Sequence, residues 1–293
     1  MKEEGSPMKF NIVRGRQAAP DRILVYGRPG VGKSTFAAGS PSPLFLDIEG
    51  GTNALDVARI VPKTYREVVD IIANFPDGFS TVVVDTIDAL EKLIHTDLCK
   101  RHGWETIEAP GYGKGYAAAV DVFAEFLRVL DDLRARRGVE VVLLGHSVVR
   151  SITNPSGLDY TKHELAVHQK SLGIITAWCD TIGFADLEAS VNKDEKVTLT
   201  GRRTVRLAPG AWDAKCRYAG MPASIPTSWT DYARARAETA PKDQADTLYE
   251  SCLALLEAVD DDGGKIRKHL EASKHNTEAL AKARARLTEM AGG

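Results

Sequence analysis

The sequence predicts an α/β protein: a doubly wound, mainly parallel sheet with antiparallel additions and a helical appendage toward the C-terminus. Three observations carry that expectation. Strand-length apolar runs without alternation recur between helical periods, as in a parallel sheet covered on both faces. After about residue 180 the runs alternate in polarity, which suits short antiparallel strands. From about Thr230 onward the pattern is helical.

In chain order, Ile23-Leu24-Val25-Tyr26 predicts the first buried strand, and Leu44 to Ile48, Thr81 to Val84 and Val139 to Leu144 predict three more. Thr64-Tyr65-Arg66-Glu67 is a capping box that opens a helix with Val68, Ile71, Ile72 and Phe75 inward. Ile87, Leu90, Leu93, Ile94 and Leu98 mark a second helix. Val120, Phe123, Phe126, Leu127, Leu130 and Leu133 mark a third, stopped by Gly138. Thr181 to Leu187, Lys196 to Thr200 and Thr204 to Ala208 are the expected antiparallel additions, and Leu248, Cys252, Leu255, Leu256 and Val259 form a later helical stripe. The expected division is a segment 1–20, a core 21–230 and an appendage 231–293.

Composition bounds the function. With 38 Lys+Arg against 40 Asp+Glu the formal charge is −2, which excludes a protein held on nucleic acid or membrane by bulk charge alone. Any such contact must come from local patches. At 43% hydrophobic and 27% charged the chain reads as globular. Its four cysteines form no C-x-x-C pair, which speaks against a zinc ribbon. No apolar run approaches the roughly 18 residues that span a bilayer. The start, Met1-Lys2-Glu3-Glu4-Gly5, lacks the apolar core of a signal peptide, so a cytoplasmic place is expected.

Gly27-Arg28-Pro29-Gly30-Val31-Gly32-Lys33-Ser34, followed by Thr35, matches G-x-x-x-x-G-K-[ST] and lies between a predicted strand and a predicted helix. Its glycines let backbone N–H groups curl around phosphate oxygens, and the helix N-terminus favours the anion. The expected ligand is ATP with Mg2+: Lys33 on the β- and γ-phosphates, the Ser34 hydroxyl on the metal. Val82-Val83-Val84-Asp85 supplies a strand-end carboxylate for the same ion, directly or at one remove, although Asp85 could equally cap the helix that follows. Glu49, just past the strand Leu44 to Ile48, is placed to activate water; from position alone a solvated loop glutamate fits as well.

Several segments together resemble the RecA-like recombinase ATPases. Phe45-Leu46-Asp47-Ile48-Glu49-Gly50-Gly51-Thr52-Asn53-Ala54-Leu55-Asp56 is similar to the segment that carries that family's catalytic glutamate, which implies this role for Glu49. Val82 to Leu90 is similar to its Walker B strand, and Val141-Val142-Leu143-Leu144-Gly145-His146 to the strand ending in a polar γ-phosphate sensor. Here that position is His146 where the family usually has Gln; as bare sequence, a core histidine remains the alternative. The fold this implies is RecA-like.

The resemblance also implies two loops that contact single-stranded DNA. Residues 101–115, with Tyr112, Lys114 and Tyr116 in Gly111-Tyr112-Gly113-Lys114-Gly115-Tyr116, fit the first. Ser147 to Lys170, with Arg150, Asn154-Pro155-Ser156-Gly157, Lys162 and His163, fits the second. Solvated loops are the plain alternative for both. Trp212 to Tyr218 is similar to a segment that reaches a neighbour's ATP, which implies that Lys215 and Arg217 act across a subunit boundary in a ring or filament with ATP at its interfaces. Residues 193–217 hold seven Lys/Arg and three acids, so a solvated basic hairpin is also compatible.

More narrowly, residues 20–220 look like phage-encoded RecA-like ATP-binding proteins associated with single-strand annealing. This implies annealing or strand exchange in a phage-infected or bacterial host cell, with other recombination or replication proteins as partners and no membrane. Two other functions stay open: a small-molecule P-loop kinase using Arg134, Arg136 and Arg137 as a lid, and a non-hydrolysing ATP switch that loads a partner onto DNA.

Overall fold

The computed structural model describes residues 19–291, apart from 155–156, 192–196, 240–243, 258, 260–263 and 275. Most of the expected segment 1–20, the tip residues Pro155 and Ser156, and Lys193 and Lys196 of the basic segment lie outside these. The chain forms two compact units, one through Thr239 and one from Ala240. The expected boundary near residue 230 therefore falls at the start of a helix that belongs to the first unit.

The first unit alternates strand and helix: β1 (Arg22–Gly27), α1 (Lys33–Ala38), β2 (Pro43–Asp47), β3 (Ala58–Ile60), α2 (Tyr65–Ala73), β4 (Thr81–Asp85), α3 (Ile87–His102), α4 (Lys114–Arg137) and β5 (Glu140–Ile152). Then follow β6 (Tyr160–Leu165), α5 (Gln169–Trp178), β7 (Thr181–Val191), β8 (Val197–Arg206), β9 (Lys215–Cys216), β10 (Ser224–Pro226) and α6 (Trp229–Glu238). The sheet runs β10-β8-β7-β1-β5-β4-β2-β3. From β7 to β3 every pairing is parallel; β8 and β10 add antiparallel at the other edge. The architecture is the expected α/β class with a mainly parallel sheet.

The unalternating runs have the expected cause. Leu24, Tyr26, Val82, Val84, Val141 and Leu143 face one core with α2 to α5, while Ile23, Val25, Val83, Val142 and Leu144 face a second with α1 and α6. Thr64 caps α2 by accepting from Glu67 N at 3.2 Å, and the Glu67 carboxylate accepts from Lys63 N. Gly138 ends α4 at φ 66.

Three segments differ from expectation. Thr181 to Leu187 is a sixth parallel strand beside β1, antiparallel only toward β8. Its crossover is α5, whose apolar face (Leu172, Ile175) is hidden in sequence by Gly173 and polar neighbours. The expected long loop Ser147 to Lys170 is instead a hairpin: β5 runs on past the carboxyl edge of the sheet and pairs antiparallel with β6 from Ser147↔Leu165 to Ile152↔Tyr160. Third, α4 begins at Lys114, so Lys114, Gly115 and Tyr116 form its first turn rather than a loop.

The second unit holds α7 (Gln244–Leu256), α8 (Lys265–Ala272) and α9 (Thr277–Ala291) around Cys252, Leu256, Leu270, Leu280 and Leu287. No helix among the described residues is long and apolar enough to cross a membrane.

Candidate active site

The site lies at the carboxyl ends of β1, β2 and β4, where β5 and β7 run past them. Gly27 at the end of β1 pairs with His146 on β5 and Ala185 on β7, while Asp85 at the end of β4 pairs with Asp47 of β2 and Leu144 of β5. Gly27 tolerates no side chain: a Cβ there would sit 2.1 Å from the Ala185 carbonyl oxygen. Beyond it the chain turns through Gly30 and Gly32 at φ 78 and 92, conformations that favour glycine, and enters α1. Arg28, Pro29 and Thr35 are exposed, whereas Val31 is buried in the core beneath the loop.

Lys33 is buried, and its Nζ donates to the carbonyls of Gly27 (3.1 Å) and Arg28 (3.0 Å). Burial lowers its pKa, against the pull of Asp85, Asp88 and Glu49. The Ser34 hydroxyl donates to Asp85 Oδ2 at 2.7 Å. Burial raises the Asp85 pKa, and the Ser34 hydrogen bond opposes the rise. The helix cap next door is Thr86, which accepts from Ala89 N, so the Asp85 carboxylate is left to Ser34. A hydroxyl and a carboxylate this close are the hard oxygen donors that Mg2+ takes, and the pair fits that ion.

Glu49 stands on a turn that Asp47 holds: the Asp47 carboxylate accepts from Gly51 N, Thr52 N and the Thr52 hydroxyl (2.6 Å). Ile48 N also donates to Asp85 O at 2.8 Å, tying the turn to β4. Glu49 Oε1 lies 3.6 Å from His146 Nδ1. The same nitrogen lies 3.0 Å from Asp88 Oδ2, and His146 N donates to Asp88 Oδ1 at 2.9 Å. Because a carboxylate only accepts, Nδ1 carries the hydrogen and Nε2 donates only when the ring is protonated. Sequence reading missed Asp47 and Asp88; the available signal was an acid three residues after Asp85 and another two residues before Glu49.

The remaining candidates lie elsewhere. Lys215 Nζ donates to the carbonyls of Thr176 and Ala177, and Arg217 Nη2 to Ala177, so both cations close the C-terminal end of α5. Burial, then the neighbouring Arg217 charge, lowers the Lys215 pKa. Lys215 pairs with Ile182, toward the beginning of β7, whereas Gly27 pairs with Ala185 further along it. The fold therefore does not bring either cation to its own phosphate loop. Arg134 donates to the Pro20 carbonyl and Arg137 to Phe75 and Asp77, with Arg136 on the Asp132 carbonyl, so the proposed kinase lid is committed to structural contacts.

Among the DNA candidates, Tyr112 is fully exposed and Lys114 is exposed, but Tyr116 is stacked on His168 (ring centroids 4.0 Å apart, 5° between planes) and donates to Glu108. Arg150 pairs with Glu164 at 3.1 Å, Lys162 with Asp213 at 2.6 Å, and the His163 ring packs 4.9 Å from Phe184. What the hairpin exposes is Val149, Leu158 and Tyr160, none of which the sequence reading had singled out, because as bare text they look like strand and turn residues.

Comparison with known proteins agrees with the phosphate chemistry. A relative, the SPbeta prophage-derived uncharacterized protein YorG of Bacillus subtilis (strain 168), is 22% identical over 135 residues, 43% of this chain. The chain spans 40% of that relative's length. Among solved structures, the RadB recombinase superposes with a TM-score of 0.39 at 17% identity, covering 64% of this chain and 80% of the other. The sequence pattern of the AAA domain family matches residues 19–218, a span of more than half the chain that contains the phosphate loop, Glu49, Asp85 and His146, and the chain belongs to that family.

Proposed function

We propose that the chain hydrolyses ATP with Mg2+, assembles as a homo-oligomer with ATP at its subunit interfaces, and acts on single-stranded DNA in homologous recombination, by annealing or strand exchange. The observation that carries the catalytic half is the convergence of Lys33, the Ser34–Asp85 pair and the Glu49–His146–Asp88 cluster at one edge of the sheet. Lys33 exchanges the carbonyls of Gly27 and Arg28 for phosphate oxygens. Ser34 and Asp85 hold the Mg2+, which neutralises charge on the β- and γ-phosphates when bound. Glu49 orients and deprotonates the attacking water, and His146, held by Asp88, senses the γ-phosphate.

The DNA half is supported by the resemblance to RecA-like recombinases and by the exposed rings of Tyr112 and Tyr160, side chains on which bases stack. The prophage origin of the relative supports a phage setting. Lys215 and Arg217 serve a neighbouring subunit's nucleotide in this reading, leaving the α5 carbonyls on assembly.

ATP turnover with and without single-stranded DNA tests the proposal. Stimulation by DNA is expected, with Lys33→Ala inactive and with Tyr112→Ala and Tyr160→Ala each weakening DNA binding by about 1–3 kcal/mol. Mixing Lys33→Ala with Lys215→Ala should restore part of the turnover across subunits. Turnover indifferent to DNA, together with no DNA retention in a non-hydrolysable ATP analogue, would overturn it.

A further inference from the structure

The phosphate loop has a cationic neighbour from its own chain, at the far side of the sheet from the Walker B strand. Val205 on β8 and Leu207 just past its end point into the core around α1. Arg203, two residues earlier, shares their face by the alternation of a strand. It pairs with Leu187, two residues beyond the Ala185 that pairs with Gly27, so β8 at this point has passed the end of β1 and flanks the loop. Arg203 Cδ and Nη1 both come to 3.5 Å from where a Cβ would stand on Gly32. The Thr227 γ-methyl is equally near, Thr227 N donates to Arg203 O at 3.0 Å, and the buried Thr227 hydroxyl has no hydrogen-bond partner among the described residues.

Charge separates Arg203 from its neighbour. Arg202 is neutralised by Glu188 at 2.7 Å, on the other face of the strand. Arg203 is exposed and has no ion-pair partner among the described residues. A guanidinium beside a glycine loop that already presents N–H groups and Lys33 meets no acid there, and its planar fork suits phosphate oxygens.

We propose that Arg203 binds the nucleotide's phosphates in cis, on the side of the loop opposite Asp85, with the Thr227 hydroxyl as an adjacent donor. The inference rests on the ATP reading of the phosphate loop. It gives each subunit a cation of its own, independent of any contribution across an interface. Because the contact is at Gly32, within the stretch that cradles the phosphates shared by ATP and ADP, both nucleotides depend on it.

Equilibrium titration of the full chain with fluorescent ATP and ADP tests this, using Arg203→Gln, Arg203→Lys, Arg202→Gln and the unaltered protein. Arg203→Gln should weaken both nucleotides about 10- to 100-fold, the size of one charged hydrogen-bonding group. Arg203→Lys should lose less and Arg202→Gln nothing, with melting temperatures of the nucleotide-free proteins unchanged. Arg203→Gln binding ATP and ADP as tightly as the unaltered chain would overturn the inference, as would an equal loss in Arg202→Gln. An unaltered chain that binds neither nucleotide would instead remove the ATP reading itself, and the role of Arg203 with it.

Discussion

Asp85 and Asp88 stand three residues apart, at the end of β4 and in the first turn of α3, and do different work. Asp85 is buried against Ser34, and its charged form is disfavoured by burial. A raised folded-state pKa means the folded protein holds the proton more tightly than the unfolded chain, so the contribution of Asp85 to stability is fully present below its unfolded pKa and is lost as pH rises through the folded one. At neutral pH the nucleotide-free protein carries the cost of this charge. Asp85→Asn should therefore abolish Mg2+-dependent turnover yet raise the melting temperature of the nucleotide-free protein by about 2–4 °C, a gain that vanishes on acidification; thermal melts across pH check it. Asp88 acts through His146 and touches no phosphate in the proposed mechanism. Asp88→Ala should lower kcat about 100-fold through a misplaced imidazole while ATP binding stays near its original strength, separable by turnover and binding assays. The motif glycines, Lys33, Ser34 and Asp85 were legible in the sequence because each stands at a fixed offset from an apolar strand, whereas the role expected of Glu49 came from the resemblance. Arg203 was not, since only strand pairing carries residue 203 to residue 32.

At the scale of elements, glycine shows how sequence and packing divide the explanation. In sequence, Gly115 reads as freedom within a loop. In the fold it lies in the first turn of α4, where a Cβ would come to 1.8 Å from the Ile107 carbonyl oxygen, so it permits close approach of the preceding chain. Gly115→Ala should cost about 1–3 kcal/mol or more, measured by denaturant unfolding, and displace the segment that presents Tyr112. The β5–β6 hairpin carries the same lesson in reverse. Its residues lack apolar periodicity because one face spends Arg150, Lys162 and Glu164 on mutual ion pairs beside an exposed Tyr160, and the other exposes Val149. A two-stranded ribbon beyond the sheet edge needs no buried stripe, so the hydrophobic pattern that finds core strands is silent there.

For the whole molecule, the two cores of the first unit draw on residues up to Ala235, and the core of the second on residues from Leu248 to Leu287. A chain ended at Thr239 should fold, melt cooperatively and keep nucleotide binding, as calorimetry with and without ATP would show. The sequence by itself determined the class of sheet, the phosphate loop and the Asp85 carboxylate at a strand end, because these depend on residues near one another in the chain and on unbroken apolar runs. The tertiary structure alone decided that Thr181 to Leu187 lies parallel to β1, that Lys215 and Arg217 face the end of α5, and that Arg203 rather than they stands beside the chain's own phosphate loop. Those outcomes follow from which strands pair and in what register, and register is set by contacts between residues far apart in sequence.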